Sequence, residues 1–337
     1  MATKIAINGF GRIGQAAFKV IKDRDDMEVV AINGLSPVSQ SAHLFKYDTV
    51  YGVYPGEVSS EGEDKLIVDG KEYLKLSEKD PENLPWKDLE VDVVLECTGV
   101  FTKKADAAKH LKAGAKRVII SAPAKGDDPV GTYVLGVNQD QMKADEEIIS
   151  NASCTTNCMA PVMKVINDNF GVEKAFMTTI HSYTADQNLV DGTHKDLRRA
   201  RAAAQNMVPT STGAAKAVGL TIPEVNGIFD GMAVRVPTPC GSLSDMTILM
   251  KKDATAEEIN EKLVTASNGE LKGIIECTND PIVSSDVVGN RASSIVDLEL
   301  TKVVAGNFVK IIAWYDNEMG YATRLVDQAG EVAKLIK

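Results

Sequence analysis

The sequence is short of most features that mark specialised protein classes, and each shortage excludes something. Although 44% of its 337 residues are apolar, no stretch has the roughly 20 consecutive apolar residues that a bilayer-spanning helix needs, so no membrane partner is expected. Basic residues are in deficit, with 37 Lys and Arg against 47 Asp and Glu and a formal net charge of -10. Such a chain lacks the electrostatic footprint of a dedicated nucleic-acid binder, and nucleic acid is not expected as its principal partner. Histidine is scarce, at four residues, and neither HExxH nor a CxxC pair occurs, so no metal site is expected. Only five cysteines are present, Cys97, Cys154, Cys158, Cys240 and Cys277. An odd, scattered set reads as free thiols rather than as a disulfide framework. The first expected strand begins by Lys4 in MATKIAINGFGRIG. That leaves no room for a cleavable leader, and the cytoplasm is the expected compartment.

What is present is a regular alternation of strands and helices. The length exceeds what one hydrophobic core usually organises, so two domains are expected. Strands are predicted at Lys4 to Asn8, Glu28 to Asn33, Asp92 to Cys97 and Arg117 to Ser121, with helices at Ala16 to Lys22 and Lys103 to Ala113. This order implies an α/β Rossmann domain with a doubly wound, mostly parallel sheet over residues 1–152. The stretch Tyr54 to Leu76, with its Val68-Asp69-Gly70-Lys71 turn, reads as a hairpin excursion. Residues 153–316 read as an α+β catalytic domain: a helix to about Phe170, which Pro161 should kink or delay, followed by strands at Lys174 to Tyr183, Met232 to Pro237, Leu243 to Lys251 and Phe308 to Tyr315. The segment 317–337 contains an amphipathic helix, with Leu325, Ala329, Val332 and Leu335 on one side, expected to pack back on the dinucleotide-binding domain.

Gly9-Phe10-Gly11-Arg12-Ile13-Gly14 is a GxGxxG run placed after the first strand. There, missing side chains permit a tight turn and let a pyrophosphate reach a helix N-terminus, which makes Gly9, Gly11, Arg12 and Ile13 coenzyme-site candidates. The acid that should bond a free ribose 2′-hydroxyl about 20 residues further on is absent. Gly34 stands at that place, in Asn33-Gly34-Leu35-Ser36-Pro37. Loss of bulk and negative charge makes NADP an acceptable coenzyme, whereas a mere turn glycine would leave NAD less well held. Both readings stay open on these residues alone.

Cys154, in Ser153-Cys154-Thr155-Thr156-Asn157-Cys158, follows a strand and opens a helix, where backbone amides and the dipole favour thiolate. It is the candidate nucleophile. Cys158, one turn later beside Val162 and Val165, is expected to be buried packing. His181 ends the apolar run Phe176 to Ile180 and is the candidate base, because a strand-end histidine gains meaning when a matching cysteine exists. His43, His110 and His194 show no comparable partner in the sequence.

The segments NGFGRIG, ASCTTNC, HSYT, RRARAAA, TSTGAAKAV, VRVPTP and WYDNEMGY together resemble the phosphorylating glyceraldehyde-3-phosphate dehydrogenase family, and the match spans the chain. The resemblance implies that Cys154 attacks the aldehyde of glyceraldehyde 3-phosphate, that hydride leaves for nicotinamide, and that inorganic phosphate releases the thioester as 1,3-bisphosphoglycerate. It implies one anion pocket from Ser153, Thr155, Thr212 and Gly213, and another from Thr184, Arg199 and Arg235. It also places Thr98, Ser121 and Asn317 at the coenzyme, and implies a homotetramer. The sequence departs from NAD-specific members at Gly34, where they carry an acid, at Lys79, where they carry arginine, and at Gly192-Thr193, where they carry leucine-proline. Ser36, Lys79 and Thr193 thereby become candidate 2′-phosphate contacts. Two alternatives remain beside this expectation, an erythrose-4-phosphate dehydrogenase and a non-catalytic nucleotide- or RNA-binding Rossmann protein.

Overall fold

The computed structural model describes residues 2–336 of the chain, in two compact units. The first comprises residues up to 133, then 139–152 and 322 onward; the second comprises 134–138 and 153–321.

The first unit grows from strand β1 (Thr3–Asn8), helix α1 (Arg12–Lys22) and strand β2 (Met27–Asn33), with β1 and β2 parallel from Thr3 opposite Met27 to Asn8 opposite Asn33. Apolar Ile5, Ile7, Ala31 and Ile32 have no exposed surface, as strands buried on both faces require. Helix α1 starts at Arg12, directly after the glycines, and so one turn earlier than apolar spacing from Ala16 suggests. Its first turn carries little apolar surface and therefore leaves no periodic trace. Across the sheet the order is Gly131–Thr132, Ile148–Ser150, Arg117–Ile120, Val93–Glu96, β1, β2, Lys71–Leu76, Lys65–Val68 and Val58–Glu61. The first seven strands run parallel. The chain winds outward in both directions from β1, so the doubly wound Rossmann reading is borne out, with its switch point between β1 and Val93–Glu96. Open α/β sheets bind ligands at the carboxyl ends of the strands at such a point.

The excursion between 54 and 76 is larger than a hairpin. Three strands form it, and Lys71–Leu76 also pairs in parallel with β2, making it part of the main sheet. The expected turn is present: Asp69 and Gly70 have φ of 49° and 78°, the left-handed pair that a two-residue turn between twisted strands demands.

The second unit is built on a seven-stranded mixed sheet in the order Val208–Ser211, Phe229–Val236, Val172–Ser182, Ser242–Met250, Phe308–Tyr315, Ser294–Val304 and Ile275–Thr278. The helix Cys154–Phe170 begins at the cysteine and runs for 17 residues through Pro161. Proline neither delays nor ends it. Cys158, Met159, Ala160, Val162 and Met163 around the proline are completely buried, and their packing outweighs the roughly 3 kcal/mol that an interior proline costs. The helices Ala214–Thr221 and Ala256–Asn268 complete this α+β unit.

The last helix, Met319–Ala333, has Leu325 and Ala329 without exposed surface, while Leu335 lies beyond its end. Residues from 322 onward belong to the first unit, where Asp327 pairs with Arg24 at 2.7 Å and Gln328 Nε2 donates to the Tyr133 carbonyl at 3.1 Å.

Candidate active site

Local backbone geometry brings a thiol to an imidazole. Ala152 takes a left-handed φ of 54°, which turns the chain out of strand Ile148–Ser150, and Ser153 caps the following helix by accepting the Thr156 N–H at 3.1 Å. Cys154 is then the first helical residue, at the positive end of the dipole. His181 stands near the end of strand Val172–Ser182, opposite Arg235 of the parallel neighbour. Cys154 Sγ and His181 Nε2 are 3.4 Å apart. On the other side of the ring, His181 Nδ1 lies 2.7 Å from the Ser182 carbonyl, to which it donates as N–H. This leaves the Nε2 lone pair to receive the thiol proton. Arg235 Nη1 donates to the same carbonyl at 2.9 Å and so lies 3.1 Å from Nδ1.

Burial acts on both members of the pair. Burial pushes the Cys154 thiol up, against the opposing pull of Arg235, the Thr155 hydroxyl and the first helical amides. The amides and dipole do act in the expected direction, but desolvation is the larger effect. Burial, reinforced by the Arg235 charge, pulls His181 down to about 3. Both shifts act in the direction of the neutral forms. The 3.4 Å separation puts the thiol proton within reach of Nε2.

Tyr315 supports both catalytic candidates, and sequence reading missed it. Its ring lies edge-on to His181 with centroids 5.9 Å apart, and its hydroxyl bonds to Thr155 Oγ1 at 2.9 Å and Thr179 Oγ1 at 2.8 Å. The Thr155 side chain is therefore tied into the wall of the site, 4.0 Å from Cys154 Sγ, rather than offered to an anion. Cys158 is fully buried and donates to Ser294 Oγ at 3.8 Å, which confirms it as packing.

Of the expected anion ligands, Arg235 Nη1 donates to Thr184 Oγ1 at 3.3 Å, which keeps these two together. Arg235 Nε is buried without a hydrogen-bond partner, a donor left for a ligand. Arg199 departs from the expected grouping. It donates through Nε to Thr210 at 2.9 Å and through Nη2 to the Ser211 carbonyl at 3.1 Å, and it pairs with Asp186. This attaches it to the strand leading into Thr212 and Gly213, not to Thr184. Thr212 Oγ1 accepts the Ala214 N–H at 3.2 Å, and Gly213 caps the helix Ala214–Thr221 with open space around it. Ser153 lies at the helix start beside the thiol.

Asn317 is buried in the same unit. Its Oδ1 accepts from Ser242 Oγ at 2.9 Å, and Ser242 Oγ in turn accepts the Ser182 N–H at 3.1 Å. With its oxygen occupied, Asn317 has its side-chain amide N–H groups available for a carboxamide oxygen. Asp316 fixes this corner by accepting the N–H groups of Glu318 and Met319, each at 2.8 Å, and of Gly289 at 2.7 Å.

In the first unit, the glycine fingerprint forms the cradle expected of a dinucleotide site. Gly9 has φ of 97°, and a Cβ there would stand 2.6 Å from the Thr98 nitrogen; one on Gly14 would stand 2.0 Å from the Gly9 carbonyl oxygen. Gly11, the α1 N-cap, has nothing within 4 Å, so the helix N-terminus is open to an approaching pyrophosphate. Arg12 is anchored to Asp48 at 2.7 Å, and partly exposed Ile13 begins the helix beside it. Thr98 and Ser121 follow the next two strands out from β1, and their N–H groups bond to Glu96 at 2.8 Å and 3.0 Å. At the β2 end, Asn33 exchanges bonds of 2.9 Å with the Glu78 backbone, and Lys79, the next residue, is exposed. Thr193 belongs to the second unit, on an exposed loop.

His110, without an evident partner in the sequence, has two. Completely buried, it lies 3.0 Å from Glu96 Oε2 and accepts from Trp86 Nε1 at 3.0 Å, and Asn8 Nδ2 joins the same carboxylate oxygen at 2.5 Å. This polar network secures the end of β1 just before the glycines. Among the described residues, no cluster of His, Cys, Asp and Glu suited to a metal ion occurs, and no helix is long and apolar enough to cross a membrane.

Known proteins match the sequence along most of its length. Residues 153–317 match the family described as glyceraldehyde 3-phosphate dehydrogenase, C-terminal domain, and residues 3–104 match glyceraldehyde 3-phosphate dehydrogenase, NAD binding domain. The chain is similar to glyceraldehyde-3-phosphate dehydrogenase of Geobacillus stearothermophilus, with 53% identity over 334 residues and 99% of each chain covered. Against glyceraldehyde-3-phosphate dehydrogenase 1 of Bacillus subtilis the identity is 52% over 335 residues, again with 99% of each covered. Against glyceraldehyde-3-phosphate dehydrogenase of Zymomonas mobilis it is 51% over 339 residues, with full coverage of both.

Proposed function

Because the chain belongs to the glyceraldehyde-3-phosphate dehydrogenase family, we propose that it converts glyceraldehyde 3-phosphate and inorganic phosphate to 1,3-bisphosphoglycerate through a thioester on Cys154, with His181 as base. The observation that carries this reading is the 3.4 Å approach of Sγ to Nε2 at a helix N-terminus. His181 Nε2 takes the thiol proton, and the sulfur forms a bond to the aldehyde carbon. The imidazolium returns that proton to the carbonyl oxygen, giving a thiohemiacetal. Nε2 then draws the hydroxyl proton off as the carbonyl re-forms. Bound NAD supplies the hydride acceptor for this oxidation. A phosphate oxygen next attacks the thioester carbon, the carbon–sulfur bond breaks, and the Cys154 thiolate leaves and recovers its proton from His181.

The chain's cations and helix ends hold the two anions. Thr184 with Arg235 forms one subsite, and Ser153, Thr212, Gly213 and Arg199 form the other, because guanidinium groups and helix N-termini suit phosphate oxygens. Amides at the start of helix Cys154–Phe170 stabilise the oxyanion that develops in each addition. Asn317 holds the nicotinamide carboxamide.

The family match gives NAD as coenzyme; the finer proposal is that NADP is accepted as well. Gly34 supports it, since a Cβ there would meet only ordinary contacts, 3.5 Å from the Phe10 nitrogen and 3.6 Å from Lys75 Nζ. Its backbone does not need a glycine, so the missing acid is not imposed by the turn. Ser36, Lys79 and Thr193 are the proposed 2′-phosphate contacts. A homotetramer in the cytoplasm completes the proposal. In its support, Phe176 and Met232 on adjacent strands of the second unit's sheet are 69% and 41% exposed, an apolar surface suited to self-association.

Initial rates with glyceraldehyde 3-phosphate and with erythrose 4-phosphate, each with NAD or NADP and with or without phosphate, test the reading. Phosphate-dependent turnover of the three-carbon substrate is expected, with a measurable NADP rate. Gly34→Asp should lower the NADP over NAD ratio of kcat/KM by roughly 10- to 150-fold, since a carboxylate bonds a free 2′-hydroxyl and repels a phosphate. An unchanged ratio would make the missing acid incidental.

A further inference from the structure

Lys75 takes no part in the reading above, yet it is the most unusual cation of the first unit. Strand Lys71–Leu76 places it opposite Ile32 of β2, with its side chain turned inward and only 3% of the residue exposed. Its ammonium donates to three backbone carbonyls, those of Gly34 at 2.5 Å, Leu76 at 3.0 Å and Ser36 at 3.2 Å. All three N–H donors are thereby used and the group is fixed in place. Its charge is not neutralised, because carbonyls carry only partial charge and no carboxylate forms an ion pair with it among the described residues. Burying a cation in this way is unfavourable, and a counter-ion would ordinarily relieve it. The position from which a side chain could supply one is 34, where a Cβ would lie 3.6 Å from Nζ. That residue is glycine.

We propose that Lys75 is a specificity-determining residue of the coenzyme site, whose fixed positive charge beneath the Gly34 to Pro37 loop favours a ribose bearing a 2′-phosphate over one bearing a free 2′-hydroxyl. The inference rests on the NADP reading above and deepens it. The loop directly follows β2, where the 2′ position of a dinucleotide is read in this fold. Ser36 and Lys79 would meet the phosphate from the surface, while Lys75 acts from behind through the loop it holds, and its attraction is strengthened by the low local dielectric. Burial draws Lys75 down to about 8, the behaviour of a cation that lacks a counter-charge. An acid at position 34 would have both paired with Lys75 and repelled the phosphate. With glycine there, the one strong charge beneath the loop is positive.

Calorimetry on the full chain with 2′,5′-ADP and with 5′-AMP isolates the 2′-phosphate contribution from catalysis. The wild-type chain should bind 2′,5′-ADP more tightly. Lys75→Gln, which keeps two N–H donors for the carbonyls but removes the charge, should lose roughly tenfold of that preference while 5′-AMP binding stays within about twofold. Lys75→Arg should retain most of it. Lys75→Met, compared with Lys75→Gln at equal thermal stability, separates charge from the loop cross-link, and both neutral variants should show the same loss of preference. Equal weakening of both ligands in the neutral variants would make Lys75 a structural cross-link only and overturn the proposal. So would a neutral variant that keeps the wild-type preference, and in that case the NADP reading itself would survive. A wild-type chain that binds the two ligands equally would overturn both.

Discussion

At the scale of single residues, the account turns on what burial does to a thiol and an imidazole. Burial shifts each toward its neutral form, Cys154 upward and His181 down to about 3, and the 3.4 Å approach of Sγ to Nε2 gives the thiol proton a direct path to the imidazole. Replacing His181 by Asn removes the acceptor. Turnover should fall by roughly 10²- to 10⁴-fold, and alkylation of Cys154 by iodoacetamide should move to higher pH. The direction follows from the thiol: with its pKa already raised by burial, loss of Nε2 leaves only pH to generate the anion. An unchanged alkylation profile would remove His181 from the role. Cys154 and His181 were legible as a pair, because a cysteine opening a helix after a strand gives meaning to a strand-end histidine that alone would read as packing. Tyr315 and Lys75 were not read, for different reasons. Tyr315 acts through a hydroxyl directed at Thr155 and Thr179, far away in sequence. Lys75 did leave a trace, since it alternates in phase with buried Tyr73 on the strand, and a lysine on the apolar phase of a strand is a buried cation to be accounted for.

At the scale of elements, glycine 14 and glycine 11 separate folding from binding. A methyl group at Gly14 would press on the backbone oxygen of Gly9 at 2.0 Å, which no side-chain rotation can relieve, whereas one at Gly11 meets nothing within 4 Å. Gly14→Ala should therefore destabilise the chain by more than about 2 kcal/mol in denaturant unfolding. Gly11→Ala should leave stability within about 0.5 kcal/mol but weaken NAD binding, because its methyl would occupy the space the pyrophosphate needs. Equal stability of the two variants would contradict this division. The β1, α1 and β2 elements were legible since the short apolar runs Ile5-Ala6-Ile7 and Val29-Val30-Ala31-Ile32 are punctuated by the glycines. The helix Ala256–Asn268 was not read, although it carries a signal: Thr255 and Glu258 form a reciprocal capping box. The strand Ser294–Val304 was harder to see because its inward positions include Asp297, which is buried by bonding to Trp314 Nε1 at 3.2 Å. Partners 17 residues apart hide a charged side chain's burial from local pattern. Pro161 misled in the opposite way, since tertiary packing holds a helix together through a residue that local rules would place at an end.

At the scale of the whole molecule, the chain divides the work between its two units. On the proposed function, one provides a nucleotide cradle at a topological switch point, and the other provides the thiol, the base and the cations for phosphate. The acidic net charge of -10 coexists with these anion subsites because the charges are local. Arg235 lies beside His181 and Thr184, and Arg199 beside Thr210 and Ser211, so composition alone conceals them. On the proposed mechanism, oxidation proceeds on Cys154 and phosphate is needed only to release the product. Mixing the enzyme with glyceraldehyde 3-phosphate and NAD without phosphate, then following NADH and the intact protein mass, tests it most directly. A burst of about one NADH per chain is expected, with an acyl adduct located on Cys154 and prompt release of that adduct when phosphate is added. Steady turnover without phosphate, or a burst with no adduct on Cys154, would contradict it.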